Sequence, residues 1–320
     1  MAVTVEARPA ERTARGGEPL AARRILGASF RIYLHRWRPH LAASIIAQGP
    51  VLVPTLVVVE RLVDVVRNAD FQSGDALVPI GGLTMVLLVL AFTSAFLFVL
   101  MSGAACQLVE LWLQGREVRV IAAYAVAVRR FWRLAGAMLV VCAGLCAGLA
   151  ALIGVLWFAY LGSLAVLQVD PSEAAADGRV LIILLGLASL AIVGVTALLI
   201  DAVVRWAVFV QVVMIEGAGP VAALLRSARL VRGRWRRTAW AMSALTLVPL
   251  VLMAVLSAVL GLALGPLASS GAVGSQVATD AALLAAQLAL SPVAPIGVTV
   301  LFYALRDGET GVDRISRRLG

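Results

Sequence analysis

Residues 130–162, RFWRLAGAMLVVCAGLCAGLAALIGVLWFAYLG, decide the fold class. After Arg133 the stretch reaches Gly162 without one Asp, Glu, Lys, Arg or His. A bilayer hydrocarbon core about 30 Å thick takes about 20 helical residues, and in lipid a helix satisfies its own backbone. The first span recognised is therefore 135–162. Five more runs qualify, near 41–60, 80–108, 180–214, 238–265 and 281–305. Several exceed the minimum length and must tilt or extend past the headgroups. Composition agrees: apolar residues make up 62% and charged residues 14% of the 320, and mean hydropathy is +0.97. Ordinary soluble domains hold roughly 45–50% and 25%. The expected class is all-α integral membrane, with six transmembrane helices.

The charges between the runs set an orientation. All 27 basic residues are Arg. Eight precede the first span, five lie in 110–134, six in 215–237 and four from Arg306 onward. The three remaining connections hold only Arg61, Arg67 and Arg179, beside Glu60, Asp64, Asp70, Asp75, Asp170, Glu173 and Asp177. The positive-inside rule then places both termini and the Arg-rich connectors in the cytoplasm. The outer loops, at about 10–20 residues, are too short for a folded catalytic domain. A soluble protein of net charge +9 would suggest nucleic acid. Here the Arg residues flank apolar runs, so anionic lipid headgroups are the expected partner and nucleic acid is not. The Ala, Val, Leu and Arg bias fits a high-GC bacterial genome, and the expected location is the bacterial cytoplasmic (plasma) membrane.

Three Trp residues expose an internal repeat. Arg36-Trp37-Arg38, Arg130-Phe131-Trp132-Arg133 and Arg234-Trp235-Arg236-Arg237 each precede an odd-numbered span, with Trp spacings of 95 and 103 residues. The unit is an amphipathic cytoplasmic helix followed by a two-span hairpin. The organisation is a disordered tail over 1–22, a membrane domain over 23–306 in repeats of about 23–114, 115–216 and 217–306, and a cytoplasmic tail over 307–320. The third short helix is the clearest. Leu224, Leu225, Ala228, Val231 and Trp235 share one face of a 3.6-residue period, Arg226, Arg229, Arg232 and Arg236 take another, and Pro220 suits its first position. The first, about 20–38, sets Ile25, Phe30, Ile32, Tyr33 and Trp37 among Arg24, Arg31, His35 and Arg38. The second covers 117–133. Such helices lie in the membrane interface, with Arg in the headgroups and Trp at the boundary. Headgroup contacts are expected from Arg36, Trp37, Arg130, Trp132, Arg226, Arg229, Arg232, Trp235 and Arg236.

Breakers mark the first span of each hairpin: Pro50 and Pro54, then Gly144 and Gly148, then Pro249. Pro removes an intrahelical bond and kinks the helix. Gly144-x-x-x-Gly148 and Gly261-x-x-x-Gly265 are spacings that let helices approach closely.

Charges inside spans are costly and are suspected of function. Asp201 and Arg205, four apart in span four, can pair on one helical face. The pair either neutralises two buried charges or forms a polar site inside the bundle. If span four ends near 214, Arg205 is about 13 Å from that end, within snorkelling reach. Breaking the pair is expected to cost roughly 3–5 kcal/mol. Gln48, Gln107 and Gln287 read as interhelical hydrogen-bonding groups. Glu110 and Glu216 end spans two and four, and Glu216 is expected to cap the following helix, whose dipole favours a carboxylate. Cys106, Cys142 and Cys146 lie within apolar runs and read as packing residues. His35 and His40 lack partners for a metal. No phosphate loop, serine elbow or metal cluster is present in the sequence, so no catalytic residue, metal or cofactor is expected.

From Arg205-Trp206-Ala207 the chain passes through Val213-Met214-Ile215-Glu216-Gly217 to Ala223-Leu224-Leu225-Arg226-Ser227-Ala228-Arg229-Leu230 and Arg232-Gly233-Arg234-Trp235-Arg236. This resembles the membrane domain of the glycerophosphoryl diester phosphodiesterase membrane-domain family, whose pattern is an Arg-bearing span, a Glu-Gly turn, an Ala-x-x-Arg-Ser-x-x-Leu helix and Gly-x-Trp-Arg before the next span. Ile25-Leu26-Gly27-Ala28-Ser29-Phe30 and Leu301-Phe302-Tyr303-Ala304-Leu305-Arg306 are similar to that family too, with Ala304 where it has Asp. The resemblance implies a six-span membrane domain standing alone. The family's catalytic barrel needs His-Arg-Gly and about 250 further residues; here Trp37 follows His35-Arg36 and no such length remains. The expected function is therefore a non-enzymatic membrane scaffold or lipid-associated protein. The alternative is a transporter or permease-like subunit with a polar site near Asp201 and Arg205.

Overall fold

The computed structural model describes residues 22–67, 77–167, 174–268, 273–308 and 315. All of the expected tail over 1–22 but Ala22, the expected outer-loop segments 68–76, 168–173 and 269–272, and most of the C-terminal tail lie outside the described residues. Among the described residues the chain is helical throughout, without a strand. Its elements are α1 (Ala22–His35), α2 (Trp37–Arg67), α3 (Leu77–Leu113), α4 (Val120–Arg129), α5 (Phe131–Leu167), α6 (Ala174–Arg205), the single turn α7 (Phe209–Gln211), a π-helical stretch Val212–Glu216, α8 (Pro220–Val231), α9 (Trp235–Ala268), α10 (Val273–Leu290) and α11 (Val293–Asp307).

Six segments are long and apolar enough to cross a membrane: Trp37–Arg67, Val78–Leu113, Phe131–Ala159, Gly186–Glu216, Trp235–Ala263 and Thr279–Asp307. They contain the runs 41–60, 80–108 and 281–305 and overlap 135–162, 180–214 and 238–265, each of which reaches a few residues further at one end. At 1.5 Å per residue the 37 residues of α5 extend about 55 Å, well beyond a hydrocarbon core. Long helices pack in sequential pairs, α2 on α3, α5 on α6 and α9 on α10, and a short helix precedes the first member of each pair.

Packing is uneven along the bundle. The buried core gathers where the short helices lie. It takes Ile25 and Ile32 of α1, Met101 and Leu108 of α3, Leu134 at the start of α5, Val212 to Met214, Leu224 of α8, Leu245 of α9 and nearly all of α11. Toward the other end large apolar side chains such as Val89, Phe158, Leu190 and Leu262 are exposed. An apolar surface that continuous belongs against hydrocarbon. The architecture is that of a multi-pass helical membrane protein.

Two expectations change. First, α1 has the expected amphipathic face, but its apolar side packs on α9 and α11, with Ile25, Ala28, Ile32 and Tyr33 buried in protein. It ends at His35, so Trp37 opens α2 instead of closing α1. Second, the helices that carry Pro50, Pro54 and Pro249 run unbroken through them. The breaks fall in the returning spans, between Arg205 and Phe209 and between Leu290 and Val293. Pro292 has no N–H to give Leu288 O, and the Ser291 hydroxyl donates to that carbonyl instead, at 3.1 Å. Ser291 Oγ also meets Ser44 Oγ of α2 at 2.5 Å, which ties the break to the first span.

The glycine spacings divide likewise. A Cβ on Gly148 would fall 2.4 Å from Leu199 Cδ2, and one on Gly144 3.3 Å from Trp206, so this face does bring α6 onto α5. At Gly261 no atom of the described residues lies within 4 Å of such a Cβ, so no close helix approach among them uses it. The tightest approach is at Gly297 of α11, where a Cβ would fall 2.1 Å from Leu245 Cδ2.

Candidate functional site

The Asp201–Arg205 pair forms, with Arg205 Nε 2.7 Å from Asp201 Oδ2. Its surroundings differ from either expectation. Helix α6 stops at Arg205, so the pair sits at a break inside the Gly186–Glu216 segment instead of on an uninterrupted helix. The side chains are 53% and 33% exposed. They line a cavity of about 280 Å³ shared with Ala228, Val231, Arg232, Gly233 and Trp235, at the turn from α8 to α9. The pair therefore belongs to the Arg-rich end of the bundle, and its environment is not the sealed interior that would make its loss cost several kcal/mol.

The break after Arg205 is held by side chains from three directions. Ser227 of α8, fully buried, donates its hydroxyl to Arg205 O at 2.7 Å, and its oxygen receives the amide of Val208 at 3.4 Å. One side chain thus serves the last carbonyl of α6 and an amide beyond it. From α3, Gln107 Nε2 donates to Met214 O at 3.1 Å. Before α5, Arg130 Nη1 donates to Val213 O at 2.9 Å and also to Met214 O, while Arg133 Nη1 donates to Gly217 O at 2.7 Å. A helix C-terminus presents unpaired carbonyls and partial negative charge, so guanidinium donors match it in both respects. Arg130 is therefore a clasp within the protein, a contact that the sequence expectation did not include.

A comparable contact holds the end of α11. Arg234, just before α9, donates Nη1 to Leu305 O at 3.1 Å and to Ala304 O at 3.3 Å, at the end of α11. Arg306 of α11 pairs with Asp307 at 2.7 Å and stacks over Phe302 and Tyr303 at 5.3 and 5.0 Å. The end of α3 closes itself. Gly115, at φ 74°, lets Arg116 N reach Leu111 O and Gly115 N reach Trp112 O, and Arg36 remains exposed.

Glu216 also departs from expectation. Gly219 occupies the N-cap of α8, Pro220 begins the helix, and no side chain caps it. The Glu216 carboxylate accepts from Arg226, with Nε 3.2 Å from Oε2. The pair staples the Glu-Gly turn to α8, so Arg226 is engaged inside the protein. The remaining candidates are exposed: Arg36, Trp37, Trp132 (82%), Arg229, Arg232, Trp235 and Arg236. On α8 the buried face is Ala223, Leu224, Ser227 and Val231, with Leu225 and Arg229 outward.

Of the three Gln residues, Gln107 bridges helices as read and Gln48 makes a long contact from Nε2 to Met101 Sδ at 3.4 Å. Gln287 faces a cavity between α2, α3, α9 and α10. Outside the spans, Tyr124 of α4 donates its hydroxyl to Ala43 O of α2 at 2.6 Å, and burial pushes its phenol up to about 12. Cys106 is buried, whereas Cys146 is exposed. No group of three or more His, Cys, Asp or Glu among the described residues is placed to hold a metal ion. No family model matches the chain, and no curated protein or solved structure matches it.

Proposed function

We propose that the chain is a non-enzymatic membrane scaffold that binds anionic lipid on its cytoplasmic face. In this reading it consists of three hairpin units, each introduced by an interfacial helix, with both termini in the cytoplasm of a bacterial cell. The resemblance to the glycerophosphoryl diester phosphodiesterase membrane domain is part of the same reading, without the diesterase activity. One observation carries it. Arg229, Arg232 and Arg236 are exposed at the α8–α9 junction beside Trp235 and Leu225, and no ion pair engages them among the described residues. Trp at the boundary and Arg above it is the chemistry of an interface against phosphate headgroups. The permease-like alternative rests on the cavity of about 280 Å³ that Asp201 and Arg205 line, which is separate from the cavity that Gln287 faces.

The test uses full-length protein in mild detergent, titrated with phosphatidylglycerol or phosphatidylcholine and read by native mass spectrometry. Phosphatidylglycerol should be retained preferentially, and less so as salt rises. Each Arg near an anionic surface contributes about 1 kcal/mol, so Arg229→Gln, Arg232→Gln and Arg236→Gln together should remove at most about 3 kcal/mol, roughly a hundredfold. Equal retention of both lipids by the unaltered protein would refute the proposal.

A further inference from the structure

Between α2, α3, α9 and α10 lies a cavity of about 880 Å³, walled by Leu52, Phe98, Val99, Leu250 and Met253 among other residues. That size is within the range of small-molecule sites, which are mostly apolar with a few placed polar groups. Three features define what fits. Its floor is closed by protein, since Leu245 and Val99 are buried in the packed core. Its wall is continuous with the outer apolar surface, since Leu250 lines it and is 61% exposed. A ligand therefore reaches it from the hydrocarbon of the membrane. Finally, no lining residue is ionisable.

The polar groups in the wall sharpen the identity. Gln287 and Ser291 stand one turn apart on the returning span, at its break, and Gln48 faces them from α2. Ser291 is already engaged with Ser44 and Leu288 O. The Gln48 side chain has only the long contact to Met101 Sδ, and the Gln287 side-chain amide has no hydrogen bond among the described residues. Each amide offers two donors and one carbonyl, and leaving such groups unmet in an apolar setting costs free energy. A bound hydroxyl can both donate to and accept from them. A phosphate finds no cation here, and burying an unpaired charge is far more costly.

We infer that this cavity binds an uncharged long-chain lipid, its hydroxyl at Gln48 and Gln287 and its chain extending along Leu250 and Met253 toward the hydrocarbon. The inference is independent of the headgroup reading, which concerns charged lipid at the opposite, Arg-rich end.

The experiment photolabels the full-length protein in detergent with hexadecanol or hexadecyl phosphate carrying a diazirine on the chain, and maps the labelled peptides by mass spectrometry. Hexadecanol should label the cavity segments of α2, α3, α9 and α10, with hexadecyl phosphate about tenfold weaker there. Ala95→Trp, which fills the cavity, should abolish that labelling. Because a bulky substitution can impair folding, Gln48→Leu provides a second test. It should weaken hexadecanol labelling several-fold and leave labelling by a diazirine-bearing hexadecane unchanged. Equal labelling by alcohol and phosphate would overturn the proposal. So would labelling confined to outward positions such as Val251 and Leu262, or a Gln48→Leu variant that keeps full hexadecanol labelling.

Discussion

Replacing Arg130 with Met should destabilise the protein out of proportion to its place in a charged connector. Arg130 gives Val213 O its side-chain donor and shares Met214 O with Gln107. Its loss leaves Met214 O with Gln107 alone and Val213 O without the guanidinium. Hydrogen bonds to charged groups contribute about 1.5–3 kcal/mol, and an orphaned buried carbonyl costs about 1–3 kcal/mol. Because one of the two carbonyls stays partnered, the expected loss is about 2–3 kcal/mol. Arg130→Lys, which keeps the charge but lacks the planar fork, should lose about half of that. The control is Arg129→Met, one residue away and exposed, where a surface change should stay within about 0.5 kcal/mol. The assay is apparent melting in detergent, followed by the fraction that remains monodisperse on size exclusion after heating. If Arg130→Met melts with Arg129→Met and the unaltered protein, the guanidinium is not holding the broken span, and Arg130 serves only as a topological charge.

Other outcomes follow from the same contacts. Ser227→Ala should cost about 1–3 kcal/mol by melting, since it deprives both Arg205 O and Val208 N of their partner, whereas Ser227→Thr should retain part of the bond. Gly297→Ala should lower the melting temperature, at about 1–3 kcal/mol for forcing Leu245 aside, while Gly261→Ala should be neutral or raise it by up to about 1 kcal/mol. Tyr124 supplies a pH dependence. Its phenol is raised from 10 to about 12 in the folded chain, so the neutral form is favoured there. Its contribution is fully present below pH 10 and is lost as pH rises from about 10 toward about 12. Tyr124→Phe should flatten the stability profile in that window, and an unchanged profile would contradict the burial of this hydroxyl.

The parts of this architecture legible in the sequence are those set by solvent. Long apolar runs have one economical environment, so the six spans emerge directly, whereas on α8 the period groups Leu225 and Trp235 with Leu224 and Val231 and the structure leaves Leu225 and Trp235 exposed. What spacing cannot show is which partner an exposed-looking charge finds after folding. Arg130 and Arg229 are alike in sequence, yet one meets carbonyls 83 and 84 residues away and the other is exposed. The break after Arg205 carries no Pro or Gly and is fixed by the tertiary contact from Ser227. Pro50, Pro54 and Pro249 are stronger local signals, and the surrounding helices continue through them. The break at Ser291-Pro292 does have a local cause, and the Gly297 contact with Leu245 depends on which residue happens to face it.

The long reach of these clasps bears on biogenesis. Arg130 leaves the ribosome more than eighty residues before the carbonyls it holds, and Arg234 about seventy before its own. The break after Arg205 and the end of α11 thus lie apart from their Arg donors until the returning helices have been synthesised, and the Arg130 contact can form before the Arg234 contact. The first helix waits longest, because α1 packs on α9 and α11, the latter formed from the last described helix of the chain. A nascent chain halted after α9 has no α11 for Ile25 and Ile32 to bury against, so the apolar side of α1 stays partly uncovered until α11 has been made.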